Sequence, residues 1–169
     1  MKIEDLDREE LLELLTDFSK RWLAHDGLWF QALERSDGME KAMEIDRQAW
    51  KNFTVLEARR IMKFLGLEEG GGLDALEKSL NFRLYALVNE QSMERKGEDR
   101  LIFKMNNCRV QQARKRKKMD LFPCKSIGQV EYSGFAATID DRIETSCLSC
   151  PPDPTPDEYY CAWEFKIST

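Results

Sequence analysis

The chain of 169 residues is short of several residue types and patterns that carry familiar chemistry. It has a single histidine, His25. The Glu-x-x-His pairs of helical di-iron proteins are missing, so a cluster of His25, Glu34 and Asp46 or Glu57 is not expected to hold two irons. There is no Gly-rich phosphate loop, no G-x-S-x-G elbow and no dinucleotide fingerprint. The H-x-E and P-C-x-x-C pair of zinc deaminases is also missing. No apolar run approaches the roughly 18–20 residues that span a membrane. The opening Met1-Lys2-Ile3-Glu4-Asp5 is acidic and lacks the apolar region of a signal peptide. Export and membrane insertion are therefore not expected, and the cytoplasm is the expected compartment. Positive charge is not in excess: 26 basic residues face 31 acidic ones, for a net charge of −5. That excludes binding of nucleic acid by bulk charge. Cysteine is absent from the first 107 residues.

What is present suits a folded protein. Apolar residues make up 42% and aromatics 10%, enough for a core and against disorder. The first half reads as helices. Asp7 and Glu10 form a capping-box pattern. Leu11, Leu15, Phe18 and Trp22 then recur along one helical face, with Gly27 as the expected stop. A short segment with Trp29 and Phe30 follows, and Ser36-Asp37-Gly38 reads as a turn. A long helix is expected from about Met39 to Leu65, with Asp46 and Glu57 on the same stripe as its apolar residues. Gly70-Gly71-Gly72 is the expected linker. Leu76, Leu80, Leu84 and Leu87 mark a further helix.

The second half alternates between strand and helix patterns. Leu101, Phe103 and Met105 alternate as a half-buried strand does. Residues 108–119 read as a polar, basic helix. Pro123-Cys124 opens another, with Ile127, Val130, Phe135 and Ile139 on its apolar face. Residues 142–147 and Tyr159–Ile167 alternate again and are expected to pair as an antiparallel hairpin across a proline-rich loop. Cys161, Trp163, Phe165 and Ile167 share the core-facing side of the last strand.

All five cysteines fall between Cys108 and Cys161. Cys147-Leu148-Ser149-Cys150 is a C-x-x-C, which places two thiolates within reach of one soft ion. The hairpin brings Cys161 towards them. Cys124 is the expected fourth ligand and Cys108 the reserve. The expected cofactor is zinc or an iron–sulfur cluster. Cys124 is also the candidate catalytic nucleophile, because a helix N-terminus and the adjacent Lys125 favour a thiolate. His25, Trp29, Phe30 and Trp50 are the candidate ligand-binding residues. His25 has a blander reading, as a group capping carbonyls near a helix end. The basic run Arg114-Lys115-Arg116-Lys117-Lys118 reads chiefly as a solvated helix face, with an anionic partner as the alternative.

Several of these stretches together resemble an uncharacterised family of prokaryotic cytosolic proteins. They are His25-Asp26-Gly27-Leu28-Trp29-Phe30, Asp46 with Trp50, Glu57 to Ile61, Pro123-Cys124-Lys125, Cys147 to Asp153 and Tyr160 to Phe165. The resemblance covers nearly the whole chain. From Cys108 onward the chain is also similar to the L-2-amino-thiazoline-4-carboxylic acid hydrolase-like family. There a cysteine opens a helix, a second comes about sixteen residues on, and a Cys-x-aromatic strand ends the domain; Cys108, Cys124 and Cys161 fit. The final strand resembles that of 4-vinyl reductase domains. Their fold is similar to the transport-particle and nitric-oxide-sensor ligand-binding superfamily, whose members bind small apolar ligands and in some cases carry a cysteine-bound metal.

The expected architecture is one α+β domain over residues 1–169, with N-terminal helices packed on a small antiparallel sheet. Residues 1–69 form its helical part and 73–169 its helix, sheet and cysteine-rich part. The leading functional expectation is a cytoplasmic, cysteine-ligated metal-binding module that also holds a small apolar ligand. A thiol- or metal-dependent hydrolase of the amino-thiazoline type is the first alternative. A protein-interaction module using the basic helix 109–118 is the second. A small-molecule ligand and self-association are the expected partners; nucleic acid and membrane are not.

Overall fold

A computed structural model describes residues 1–168; Thr169, the last residue of the expected second part, lies outside the described residues. Helix α1, Arg8–Asp37, opens on the expected capping box. The Asp7 carboxylate accepts from the Glu10 N–H at 2.9 Å, and the Glu10 carboxylate accepts from the Asp7 N–H at 2.9 Å. The helix does not stop at Gly27. A mid-helix glycine costs only about 1 kcal/mol, and Leu23 and Phe30, which flank it, are packed inward. Gly38 ends α1 and at once caps α2, Met39–Leu65, in a φ of 85° that side-chain-bearing residues rarely adopt. The two form a helical hairpin.

The apolar stripe at the start of α1 is not a core face. Leu11, Leu15 and Phe18 are 37%, 52% and 47% exposed. Burial resumes further along, where Trp22 stacks on Phe53 of α2 with ring centroids 6.0 Å apart. The glycine run does not behave as a linker either. Gly70 N–H donates to the Ile139 carbonyl at 2.9 Å, and Gly72 N–H donates to the buried Asp140 carboxylate at 3.0 Å. The run is stitched to residues 139–140. It leads into α3, Gly72–Leu80, which is shorter than the leucine spacing suggests. The chain leaves the helix at Asn81, Arg83 is extended and turned inward, and a short 3-10 turn takes Leu84–Leu87.

The fold is α+β, as expected. The sheet holds β1 Glu90–Arg95, β2 Arg100–Asn107, β3 Ile143–Ser149 and β4 Cys161–Ile167, in the order β1-β2-β4-β3. Every pairing is antiparallel. The expected hairpin is there, with Ile143 opposite Ile167 and Cys147 opposite Trp163. Strand β1 escapes the sequence reading. Glu-Gln-Ser-Met-Glu-Arg is polar, and as an edge strand it pairs only with β2.

The basic helix α4 is Arg109–Arg116, and α5 is Lys125–Ile139. Helix α5 lies between the sheet and α2. Gly128 lets it approach the sheet: a Cβ there would meet Trp163 Cζ2 at 2.6 Å. Gly134 lets it approach α2, where a Cβ would meet Thr54 Cγ2 at 2.7 Å. Thr54 Oγ1 donates to the Glu131 carbonyl at 2.7 Å and fixes the crossing. The core between these layers is made of Leu101, Phe103, Trp163 and Phe165 from the sheet, with Phe135 and Ile139 from α5.

Helix α4 is tied to α1 rather than solvated throughout. Arg114 is 4% exposed and grips Glu34 through two N–H···O bonds of 2.8 Å. No helix among the described residues is long and apolar enough to cross a membrane.

Candidate functional site

A cavity of about 380 Å³ lies where α1, α2, α4, α5 and the sheet meet. Its chemistry is divided. One part of the lining carries carboxylates: Asp26 from α1, Asp46 from α2 and Glu131 from α5. Another carries thiols: Cys108, Cys124, Cys150 and Cys161. Aromatic groups complete the wall, among them Trp50, Tyr85 and Trp163.

The thiols arrive from four separate segments. Cys108 precedes α4, Cys124 caps α5, Cys150 follows β3 and Cys161 opens β4. Cys124 and Cys150 have their sulfurs 3.5 Å apart. Gln111 Nε2 points at the Cys124 sulfur from 3.6 Å. The hydrogen bond from the Cys150 thiol holds the Cys124 pKa below its ordinary value, against the cost of burial. Cys150 goes the other way. Its hydrogen bonds with Cys124 and Cys161 keep it protonated, and burial adds to this. Burial pushes the Cys108 thiol up to about 12. The site thus has one thiol whose pKa is lowered by a neighbouring S–H beside two whose pKa is raised.

Cys147 stands apart from these four. It sits within β3, opposite Trp163, and does not line the cavity. Cys150 reaches the cavity because the chain leaves the strand just before it. Lys125 N–H donates to the Pro151 carbonyl at 2.9 Å, and Lys125 Nζ pairs with Asp153 at 2.6 Å. These contacts turn the loop onto the start of α5. The two halves of the C-x-x-C are therefore placed apart. Among the described residues, no group of three or more His, Cys, Asp and Glu is arranged to hold a metal ion as it stands.

Of the candidate ligand-binding residues, Phe30 and Trp50 line the cavity. His25 and Trp29 are exposed on α1 and do not. His25 is in mid-helix, so it caps no helix end, and it does not share the cavity with Cys124.

Asp46 and Glu57, on one stripe of α2, have different surroundings. Glu57 accepts from Arg83 Nε at 2.9 Å. Arg83 Nη2 also lies 2.7 Å from Glu131 Oε1, a close ionic contact without hydrogen-bond alignment. The guanidinium is buried, 4.8 Å from the centre of the Phe135 ring. Burial nevertheless raises the Glu131 pKa, with Arg83 opposing. Asp46 has no such partner among the described residues. Burial first, and then the charges of Asp26 and Glu131, push its carboxyl up to about 7. Burial likewise raises Asp26, and its neighbour His25 opposes this weakly.

Asp26, Tyr85, Glu131 and Trp163 escaped the sequence reading as site residues. Part of the signal was there. Asp26 lies one turn before Phe30, Asp46 one turn before Trp50, and Glu131 midway between Ile127 and Phe135. Each is a carboxylate on an apolar face.

Residues 4–167 match the model of a family of unknown function, DUF6125. No curated protein and no solved structure matches the chain.

Proposed function

The chain belongs to the DUF6125 family of unknown function, and on that premise we propose that it is a small-molecule-binding module of the cytoplasm. One observation carries this reading: a cavity of about 380 Å³ lined by polar, aromatic and thiol side chains from every layer of the fold. That volume lies in the range of small-ligand sites, which are mainly apolar with a few placed polar groups. Five free thiols suit a reducing compartment. The test uses N-phenyl-1-naphthylamine, a neutral dye that brightens in apolar surroundings. It should bind one site per chain and saturate. Ala24→Trp, at an exposed position on the cavity wall, should abolish the signal at unchanged melting temperature. Non-saturating fluorescence, or fluorescence indifferent to Ala24→Trp, would refute the reading.

The thiol quartet favours a second reading, in which the cavity holds zinc or an iron–sulfur cluster on its thiols. Cys108, Cys124, Cys150 and Cys161 are then the ligands, drawn inward from their present positions by the ion, and Cys147 is not one. Protein purified without chelator should carry one zinc or one cluster per chain by elemental analysis. Cys124→Ser and Cys150→Ser should each lose it, and Cys147→Ser should keep it. Metal-free protein, or retention in all three variants, would exclude this reading.

A further inference from the structure

Asp26 and Asp46 face the cavity from two helices, and neither forms an ion pair or a hydrogen bond with a side chain among the described residues. A carboxylate taken out of water without a partner is costly. The chain had a cation available and placed it elsewhere: Arg83 pairs with Glu57 and Glu131. Of the basic side chains lining the cavity, Arg114 is buried and paired with Glu34, while Lys20, Arg109, Arg116 and Lys117 are exposed; none is bonded to either aspartate among the described residues. Beside Asp46 the wall is aromatic, with Trp50 and Tyr85 stacked at 5.8 Å. Carboxylates beside aromatic faces are the surroundings in which organic cations bind.

A second, separate group also lacks a partner. Trp163 lines the same cavity and is 0% exposed, yet its indole N–H has no acceptor among the described residues. Buried indole N–H groups normally find an acceptor. The cavity therefore offers unpaired acceptors from the two helices and an unpaired donor from the sheet.

We propose that the cavity takes a small organic cation, a primary amine or amidinium on an apolar body, with its charge between Asp26 and Asp46 and a hydrogen-bond acceptor at its other end towards Trp163. This rests on the small-molecule reading of the cavity and names the class of ligand. The apolar body covers the Trp50–Tyr85 wall. No bond forms or breaks in this step.

The test compares three probes of nearly one shape by calorimetry at pH 8: 4-methoxybenzylamine, 4-methoxybenzyl alcohol and 4-methoxybenzoate. The amine should bind one site at least tenfold tighter than the alcohol, and the benzoate should not bind. Asp26→Asn and Asp46→Asn should each weaken the amine at least fivefold and leave the alcohol unchanged. Both substitutions keep shape and remove an unpaired charge, and circular dichroism checks that the variants are folded. Equal binding of amine and alcohol, preference for the benzoate, or indifference to both substitutions would overturn the proposal. If the naphthylamine dye binds and the amine does not, the cation proposal falls and the small-molecule reading stands. If neither binds, both fall.

Discussion

Helix α2 presents two carboxylates eleven residues apart, about three turns along one stripe, Glu57 buried and Asp46 half-buried. Around Glu57 the chain supplies its own cation. Arg83 bridges Glu57 and Glu131 and is enclosed by Phe135 and Tyr132. Around Asp46 it supplies none, and the neighbouring groups that act on it are two further carboxylates. The first arrangement locks the turn after α3 to α2 and α5. The second leaves a charge facing a cavity. A carboxylate on an apolar stripe thus has two meanings, separated by whether the fold brings it a counter-charge.

The largest effect should come from breaking the satisfied cluster. Arg83→Met leaves Glu57 and Glu131 buried without their cation. Removing one partner of a buried pair typically costs about 3–5 kcal/mol. Urea unfolding at pH 8 should show a loss of that size. Part of it should return at pH 5, because burial already raises the Glu131 carboxyl and favours its protonation once Arg83 is gone. If Arg83→Met costs less than about 1 kcal/mol, the cluster is not what holds these layers together.

The unsatisfied pair should respond in the opposite direction. Asp46 has its carboxyl raised from 3.8 to about 7 in the fold. Between these values the native state binds more protons than the unfolded chain, so stability falls as pH rises from about 4 to about 7 and is flat above. A shift of this size sets a ceiling of about 4 kcal/mol at 1.36 kcal/mol per unit. Asp46 is only half-buried, so solvent screening reduces the expected effect to about 1–2 kcal/mol. Asp46→Asn should remove that slope and gain about 1–2 kcal/mol at pH 8. Asp46→Asn that destabilises at pH 8 would mean that an unrecognised donor already serves the carboxylate.

The fold was more legible in the sequence than the site. Cys161, Trp163, Phe165 and Ile167 revealed β4 because a core-facing side repeats every second residue, and the capping box at Asp7 marked where α1 begins. Gly27 misled because a helix held by its neighbours tolerates one glycine. Strand β1 was hidden because an edge strand needs no apolar alternation. At the site, sequence showed which residue types clustered but not which shared a surface. Cys147 and Cys150 are neighbours in sequence, yet the Lys125–Pro151 contact turns only Cys150 to the cavity. Asp46 and Glu57 looked equivalent because their difference lies in Arg83, which is 26 residues from Glu57.

The smallest effect is the sharpest test of the comparison, because it depends on sign. Asp26 and Asp46 repel each other across the cavity, and after burial the Asp26 charge does most to raise the Asp46 carboxyl. Asp26→Asn and Asp46→Asn each remove that same repulsion, so each should stabilise the protein at pH 8. The double variant can remove it only once. Its gain should fall short of the sum of the two single gains by about 0.5–1 kcal/mol, in the usual range for interacting neighbours. At pH 5 Asp46 is mostly protonated, the repulsion is gone, and the shortfall should vanish. For Arg83 and Glu131 the same cycle, with Arg83→Met and Glu131→Gln, has the reverse sign: the double variant should lose less than the sum of the two single losses. A cycle at Asp26 and Asp46 with the sign of an attractive pair would place a cation between them already in the free protein, and the two carboxylate clusters would then be alike.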